Sequence, residues 1–107
     1  MPSDRSPIIK KISELIRFLA PEGRAFLYGS TARGTYREDS DIDILIVLPD
    51  SDNQEAFAKK KVELTEKLYD IELEYGVEVS PLIVLKSFWE RMKTPFTCNV
   101  AKDGVVL

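Results

Sequence analysis

Residues 29–47 read GSTARGTYREDSDIDILIV, and they hold the clearest structural pattern in the chain. From residue 41 to residue 48 the sequence is almost entirely Ile, Leu and Val after its first aspartates, which predicts a strand covered on both faces. A short strand over residues 25–28 precedes the glycine, and an irregular polar stretch separates the two strands. The segment therefore predicts the centre of a small sheet.

Two aspartates, Asp41 and Asp43, begin the central strand. Side chains two apart on a strand share a face, with α-carbons about 6 to 7 Å apart. Carboxylates this close repel each other unless a positive charge lies between them, and Mg²⁺ prefers such oxygen ligands. Two ions about 4 Å apart would clamp an attacking oxygen and an α-phosphate. Taken alone the pair marks only the polar start of a strand, but its place before an apolar run favours a metal site.

A glycine and a serine, Gly29 and Ser30, follow the first strand directly. Glycine at a strand end lets the backbone approach a ligand closely, and a helix start presents free N–H groups. The Ser30 hydroxyl is then placed to reach a phosphate oxygen, although the pair also fits an ordinary turn with Ser30 as the helix N-cap. Arg33 and Arg37 lie near enough to assist phosphate binding, and a surface role beside acidic neighbours explains them as well.

The composition restricts the class of function. The 107 residues are predicted to form one domain over 1–107, and 44% of them are hydrophobic. A net charge of −3 argues against an extended nucleic-acid surface. One cysteine and no histidine exclude an internal disulfide and a Cys/His zinc site, so catalysis must use carboxylates, a metal or a hydroxyl. No apolar run is long enough for a membrane span and no signal-peptide pattern occurs, which predicts a cytoplasmic protein.

Helical and strand patterns alternate along the rest of the chain. Apolar spacing predicts a helix over residues 6–20 and a longer one ending near residue 75. Residues 77–85 predict a third strand, in which Pro81 indicates an edge or a bulge. Short helical segments follow it. This order predicts an α/β (α+β) fold, a small mixed sheet of at least three strands with helices packed on it.

Two local expectations concern the long helix. Ser51 and Gln54 have the spacing of a capping box at its start. Three aromatic residues on it, Phe57, Tyr69 and Tyr75, are expected at core positions because of their helical spacing.

The two motifs together are far more specific than either one. Gly29-Ser30, ten intervening residues and Asp41-Ile42-Asp43 match the GS-x10-DxD signature of the nucleotidyltransferase superfamily, whose members include DNA polymerase beta and the kanamycin nucleotidyltransferases. The fuller string resembles the minimal nucleotidyltransferases, small prokaryotic proteins typified by GSxARG followed by SDxD and an apolar strand. The strong match covers residues 29–47, and weaker similarity in the order of elements extends to residues 104–107.

The resemblance implies a nucleotidyltransferase fold and a metal site. The two aspartates of the signature bind the metals, which assigns Asp41 and Asp43 to Mg²⁺ in a two-metal site, with Mn²⁺ as an alternative ion. Active relatives usually add a third carboxylate that binds a metal or acts as general base. Glu78, at the start of the third predicted strand, is the candidate for this catalytic and metal-binding role, although a solvated glutamate after a helix end is unremarkable. Ser80 shares its face and is a weaker ligand.

The same resemblance implies a nucleotide site. The serine of the Gly-Ser turn contacts the triphosphate in this superfamily, which assigns Ser30 and the Gly29 backbone to the phosphates. Arg33 and Ser40 are expected to complete the nucleotide-binding residues. ATP is the expected nucleotide.

The resemblance also implies a partner. Minimal nucleotidyltransferases are commonly paired with a small helical HEPN-domain protein in toxin–antitoxin modules, where active members add AMP to a tyrosine of the toxin. An Mg²⁺-dependent transfer of AMP to a hydroxyl of such a partner is therefore expected, in a homo- or hetero-oligomer. One alternative is a weak or inactive module that neutralises its partner by complex formation, and another is a sensor that binds Mg-NTP without transfer. A position of Glu78 far from both aspartates would favour the binding module.

Overall fold

The computed structural model describes residues 4–107, which form a four-stranded mixed sheet and five helices. The elements in chain order are α1 (Ser6–Leu19), β1 (Arg24–Tyr28), α2 (Gly29–Arg33), β2 (Ile42–Leu48), α3 (Gln54–Tyr75), β3 (Val79–Leu85), α4 (Lys86–Arg91), α5 (Pro95–Asp103) and β4 (Val105–Val106). The predicted α/β class and mixed sheet are confirmed. Within residues 4–107, the helices are all too short or too polar to cross a membrane.

The strands lie in the order β3-β2-β1-β4. β2 runs parallel to β3 and antiparallel to β1, while the two-residue β4 pairs antiparallel with β1. β2 is therefore central, as its apolar sequence predicts. β3 lies at an edge of the sheet, where Pro81, which has no N–H to donate, is tolerated.

The two faces of the sheet are covered differently. α1 and α3 pack on one face, and the larger core cluster there includes the fully buried Ile12, Ile44 and Leu68. On the other face a smaller cluster, containing Leu45 of β2 and Val100 of α5, is only partly covered by α4 and α5. Alternate side chains of β2 point to opposite faces, so Asp41 and Asp43 belong to the second, more open face.

The start of α3 differs from the expected capping box. Asn53 is the N-cap residue, and its side-chain Oδ1 accepts a hydrogen bond from the N–H of Ala56 at 2.9 Å. The Ser51 hydroxyl instead accepts a hydrogen bond from the N–H of Asn53. The Ser51–Gln54 capping box is wrong, because the chain enters the helix two residues later and an asparagine caps equally well.

The aromatic residues of α3 are also placed differently from the expectation. Phe57 packs against the larger core cluster, as expected. Tyr69 is 55% exposed and Tyr75 is 37% exposed, so their predicted core positions are wrong. The buried stripe contains Leu68 and Ile71. Tyr69 lies about 100° around the helix axis from Leu68 and so leaves the buried stripe, and Tyr75 is the last residue of the helix.

Candidate active site

The register of two strands brings the acidic residues together. Parallel pairing places Ile42 opposite Val79 and Asp43 opposite Ser80. The N–H of Ile42 donates to the carbonyl oxygen of Glu78, the residue before Val79, at 2.8 Å. Glu78 therefore immediately precedes β3, rather than lying inside it, and stands beside Asp41 on the open face of the sheet.

Glu78 and Asp41 interact through their side chains. A hydrogen bond to the Asp41 side chain and the negative charge of Asp41 raise the pKa of Glu78, with smaller contributions from desolvation and Glu72. Glu78 is otherwise exposed to solvent. The third candidate carboxyl is thus close to the first aspartate, which is the arrangement that favours transfer over a purely binding module.

Asp43 occupies a partly buried position between β1 and β3. Burial raises the pKa of Asp43, the charge of Asp41 raises it further, and the nearby Arg33 guanidinium opposes both effects. Its register partner in β1 is Tyr28, whose pKa is raised by burial and then by the charge of Asp43. Negative charge is therefore concentrated at the start of β2, and a cation bound there would relieve it.

The Gly29–Ser30 turn lies directly against this carboxylate. Gly29 has φ +74°, and a Cβ at this position would overlap the Oδ2 atom of Asp43. Tyr28, rather than Ser30, is the N-cap residue of α2, and no side chain caps this helix. The interpretation of Ser30 as an N-cap is therefore wrong. The turn and the aspartates form one continuous site.

The other two predicted nucleotide-binding residues border this site. Arg33 is near Asp43 and also lies 3.7 Å from the Oδ2 atom of Asp103, with about half of its side chain exposed. The Ser40 hydroxyl accepts a hydrogen bond from the N–H of Arg37 at 3.0 Å, so it closes the loop before β2. Contact of Arg33 and Ser40 with a nucleotide stays a prediction.

Sequence reasoning missed one residue that contacts this region, Arg5. Its guanidinium donates to Thr31 in α2 and to the carbonyl oxygens of Arg37, Glu38 and Ser40 in the loop before β2. No local pattern could have found it, because an arginine ahead of an amphipathic helix has no distinguishing spacing and its partners lie 26 to 35 residues away.

A metal ion at this site would depend on carboxylate oxygens from the start of β2. Residues 4–107 contain no group of three or more His, Cys, Asp and Glu side chains already arranged around one metal position. Asp41 and Asp43 nonetheless fit a hard divalent cation, because both supply carboxylate oxygens, and because burial and then the charge of Asp41 raise the pKa of Asp43. Mg²⁺ ordinarily completes its coordination with substrate phosphates and water, so two protein carboxylates suffice.

The family model of the nucleotidyltransferase domain matches residues 9–107. The chain belongs to this family. A candidate protein adenylyltransferase of Methanocaldococcus jannaschii is 34% identical over 82 residues, which cover 77% of the chain and 75% of the relative. A second candidate protein adenylyltransferase of this organism is 36% identical over 104 residues, covering 92% of the chain and 95% of the relative. The protein is thus a transferase of the nucleotidyltransferase type.

Solved structures share the fold of this nucleotidyltransferase. A toxin–antitoxin complex with AMP-PNP superimposes with a TM-score of 0.62 at 24% identity, covering 91% of the chain and 69% of its counterpart. A candidate nucleotidyltransferase from Sulfolobus solfataricus gives 0.57 at 22% identity, over 94% and 76% of the two chains. The MntA–HepT toxin–antitoxin complex gives 0.56 at 21% identity, over 94% and 68%.

Proposed function

We propose that this nucleotidyltransferase transfers AMP from ATP to a hydroxyl group of a partner protein, as the antitoxin of a HEPN-type toxin–antitoxin pair. The observation that carries the proposal is the closeness of Glu78 to Asp41: the N–H of Ile42, the residue after Asp41, donates to the carbonyl oxygen of Glu78 at 2.8 Å, and Asp43 follows Ile42 on β2. Three carboxyl groups at one end of two parallel strands supply the acid–base and cation-binding groups that the reaction needs.

Binding of the triphosphate is assigned to the turn between β1 and α2. The absence of a side chain at Gly29 lets the Asp43 carboxylate lie against the turn, and the Ser30 hydroxyl, which is not used as a helix cap, is available to donate to a phosphate oxygen. Arg33 would add positive charge at the edge of the same site, and Ser40 would border it from the loop.

Asp41 and Asp43 would hold Mg²⁺, or Mn²⁺ in its place, in a two-metal arrangement. When bound, the ion would neutralise phosphate charge and polarise the α-phosphate. The two side chains themselves would set where the triphosphate lies, because Ile42 and residues 44–48 of β2 are buried and fix their backbone. This positioning is expected to account for much of the acceleration.

Glu78 is assigned as the general base. It would accept the proton of the acceptor hydroxyl while the hydroxyl oxygen forms a bond to the α-phosphorus and the bond to the leaving pyrophosphate breaks. A carboxylate at this position can accept that proton, and its exposure leaves it open to a large acceptor.

The acceptor is proposed from the relatives. Two relatives are candidate protein adenylyltransferases, and toxin–antitoxin complexes share the fold. These names support a protein acceptor and an adenine nucleotide, and the HEPN class of the partner rests on the sequence resemblance. A second candidate is a weakly active module that neutralises its partner by binding, because the toxin–antitoxin complexes that share the fold also bring two proteins into stable contact.

A transfer assay with the protein encoded beside this one in the genome tests the proposal. ATP labelled at the α-phosphate should label the partner in the presence of Mg²⁺, whereas ATP labelled at the γ-phosphate should not. The Asp41→Asn/Asp43→Asn variant should lose the transfer, and Glu78→Gln should slow it by about 10²- to 10⁴-fold. The exposed Asp39 provides a matched control, because Asp39→Asn removes a charge from the same loop.

The two candidate functions predict different results. If the α-label never reaches the partner with any of the four nucleoside triphosphates, although a stable complex forms, transfer is excluded and the binding module is favoured. Transfer of the γ-label would instead indicate a kinase.

A further inference from the structure

The guanidinium of Arg5 is almost completely buried at the N-terminus of α1. The residue is 3% exposed, and among residues 4–107 no carboxylate lies within salt-bridge distance of it. A buried cation is costly unless its donors are satisfied by hydrogen bonds. Within the described part of the chain, oxygen acceptors and one aromatic ring compensate for this charge, so the burial of Arg5 depends on the segments that supply them.

Those acceptors belong largely to one loop. The Nη2 atom of Arg5 donates to the carbonyl oxygens of Arg37 at 3.0 Å, Glu38 at 3.2 Å and Ser40 at 2.7 Å. Its Cζ atom lies 4.4 Å from the ring centroid of Tyr36. The loop between α2 and β2 has no regular secondary structure, so the arginine replaces the backbone partners that a helix or a sheet would provide.

A second branch of the same side chain reaches α2. The Nη1 atom of Arg5 donates to the Oγ1 atom of the buried Thr31 at 2.9 Å. The Thr31 hydroxyl is in turn 3.5 Å from the carbonyl oxygen of Asp41, to which it donates. Arg5 is thus linked through Thr31, which directly follows Ser30, to the backbone of Asp41, the first residue of the acidic site.

We propose that Arg5 is a positioning residue, which holds the Gly29–Ser30 turn and Asp41 at the spacing that the reaction requires. Both ends of the polar loop are joined to one rigid group, so the loop cannot shift Asp41 relative to the turn without breaking several hydrogen bonds. Arg5 precedes residues 9–107, the part matched by the family model. The kinetic consequence rests on the proposed AMP transfer, whereas the ordering of the loop does not.

The arrangement requires a guanidinium. Its planar fork offers five N–H donors in fixed directions, whereas lysine offers a single compact ammonium. Lysine can satisfy one or two of the acceptors but cannot bridge Thr31 and the loop carbonyls together. Arg5→Lys should therefore retain the charge and fall between the wild type and Arg5→Ala.

Amide hydrogen exchange tests the loop without reference to the reaction. The N–H groups of Thr35 and Ser40 are bonded within this region, to the carbonyl oxygens of Ser30 and Arg37. In Arg5→Ala these two amides should exchange about tenfold faster or more, because local opening becomes easier. Arg17→Ala is the matched control, since Arg17 is an exposed arginine in α1, the helix that follows Arg5. Equal exchange in the two variants would overturn the proposal.

Steady-state kinetics and chemical rescue test the positioning role. Arg5→Ala should lower kcat by about tenfold to a hundredfold, with a smaller change in KM for ATP, because misplacement by a fraction of an ångström affects the transition state most. Millimolar guanidinium ion, added below denaturing concentrations, should restore part of kcat in Arg5→Ala and none in Arg5→Lys. An unchanged kcat with a loosened loop would overturn the proposal.

A second variant provides the same test if Arg5→Ala misfolds. If Arg5→Ala does not fold, Thr31→Val keeps the side-chain shape and removes only the hydroxyl that joins Arg5 to Asp41. It should lower kcat and loosen the Ser40 amide; wild-type values for both would overturn the proposal. A wild type that binds Mg-ATP but transfers no AMP overturns the proposed function instead, and the exchange comparison still decides whether Arg5 orders the loop.

Discussion

The carboxylate of Asp43 lies against the α-carbon of Gly29, so close that a Cβ on this glycine would overlap the Oδ2 atom. The contact joins the two halves of the GS–DxD signature in space. It is a second, steric reason why position 29 requires glycine, in addition to its φ of +74°. A turn proposed to bind phosphates and a carboxylate proposed to bind a cation are thereby held in direct contact, and a change in either displaces the other.

Gly29→Ala is expected to abolish most activity. The positive φ costs about 1–2 kcal/mol for any residue with a Cβ. The overlap with Asp43 adds a displacement of the carboxylate, so kcat should fall more than the stability loss explains. Gly76→Ala is the matched control, because Gly76 has φ +68° and no atom within 4 Å of its would-be Cβ. Circular dichroism melting and the transfer assay check both variants, and equal activity in the two would contradict the steric argument.

Removing charge from the acidic site is expected to stabilise the protein while it lowers activity. The raised pKa values of Asp43 and Glu78 mean that their ionised forms are disfavoured in the folded state. Asp43→Asn should therefore raise the melting temperature by a few degrees at neutral pH without Mg²⁺, and Glu78→Gln should raise it by less because solvent screens the exposed Glu78. The glutamine can also donate to Asp41 without binding a proton.

The stabilisation should depend on pH with a definite sign. A carboxyl whose pKa is raised on folding binds more protons in the folded state, so its contribution is favourable below the unfolded pKa and is lost as the pH rises through the folded pKa. The advantage of Glu78→Gln over the wild type should thus be absent below the ordinary pKa of 4.5 and grow above it. Glu66→Gln on the exposed face of α3 is the control, and a pH-independent advantage would contradict this origin.

Mg²⁺ and ATP are expected to stabilise the protein only together. A ligand at one hundred times its Kd stabilises the folded state by about 2.7 kcal/mol. The thermal shift should appear with Mg-ATP, should be small with either component alone, and should vanish in Asp41→Asn/Asp43→Asn. Differential scanning fluorimetry over a concentration series checks this. A full shift in the double variant would place the nucleotide elsewhere.

Arg33 is expected to affect nucleotide affinity more than stability. Its 3.7 Å ion pair with Asp103 is partly exposed, and such pairs contribute about 0–1 kcal/mol. Arg33→Met should weaken ATP binding by several-fold with little change in melting temperature. Asp103→Asn frees the guanidinium and should leave the affinity unchanged or tighten it, as isothermal titration calorimetry would report. Weaker binding in both variants would indicate that the ion pair itself shapes the site.

Several elements could be predicted from local sequence because their signals are short-range. The apolar run after Asp43 predicts a covered strand, and β2 is the central strand of the sheet. Pro81 predicts an edge strand, and β3 is one. The helix caps were less predictable: Ser51 and Asn53 are both good capping residues two positions apart, and which one serves depends on where the chain leaves the preceding strand.

Local sequence was enough to predict the alternation of helices and strands, the central position of β2 and the pairing of the Gly-Ser and Asp-x-Asp motifs, since each depends on periodicity or on spacing along the chain. The tertiary structure was needed to show that Glu78 lies beside Asp41, because their closeness follows from the parallel register of β2 and β3. It alone also placed Arg5 under the loop before β2. Register and buried long-range hydrogen bonds are set by the burial of the whole core, to which no local window of sequence is sensitive.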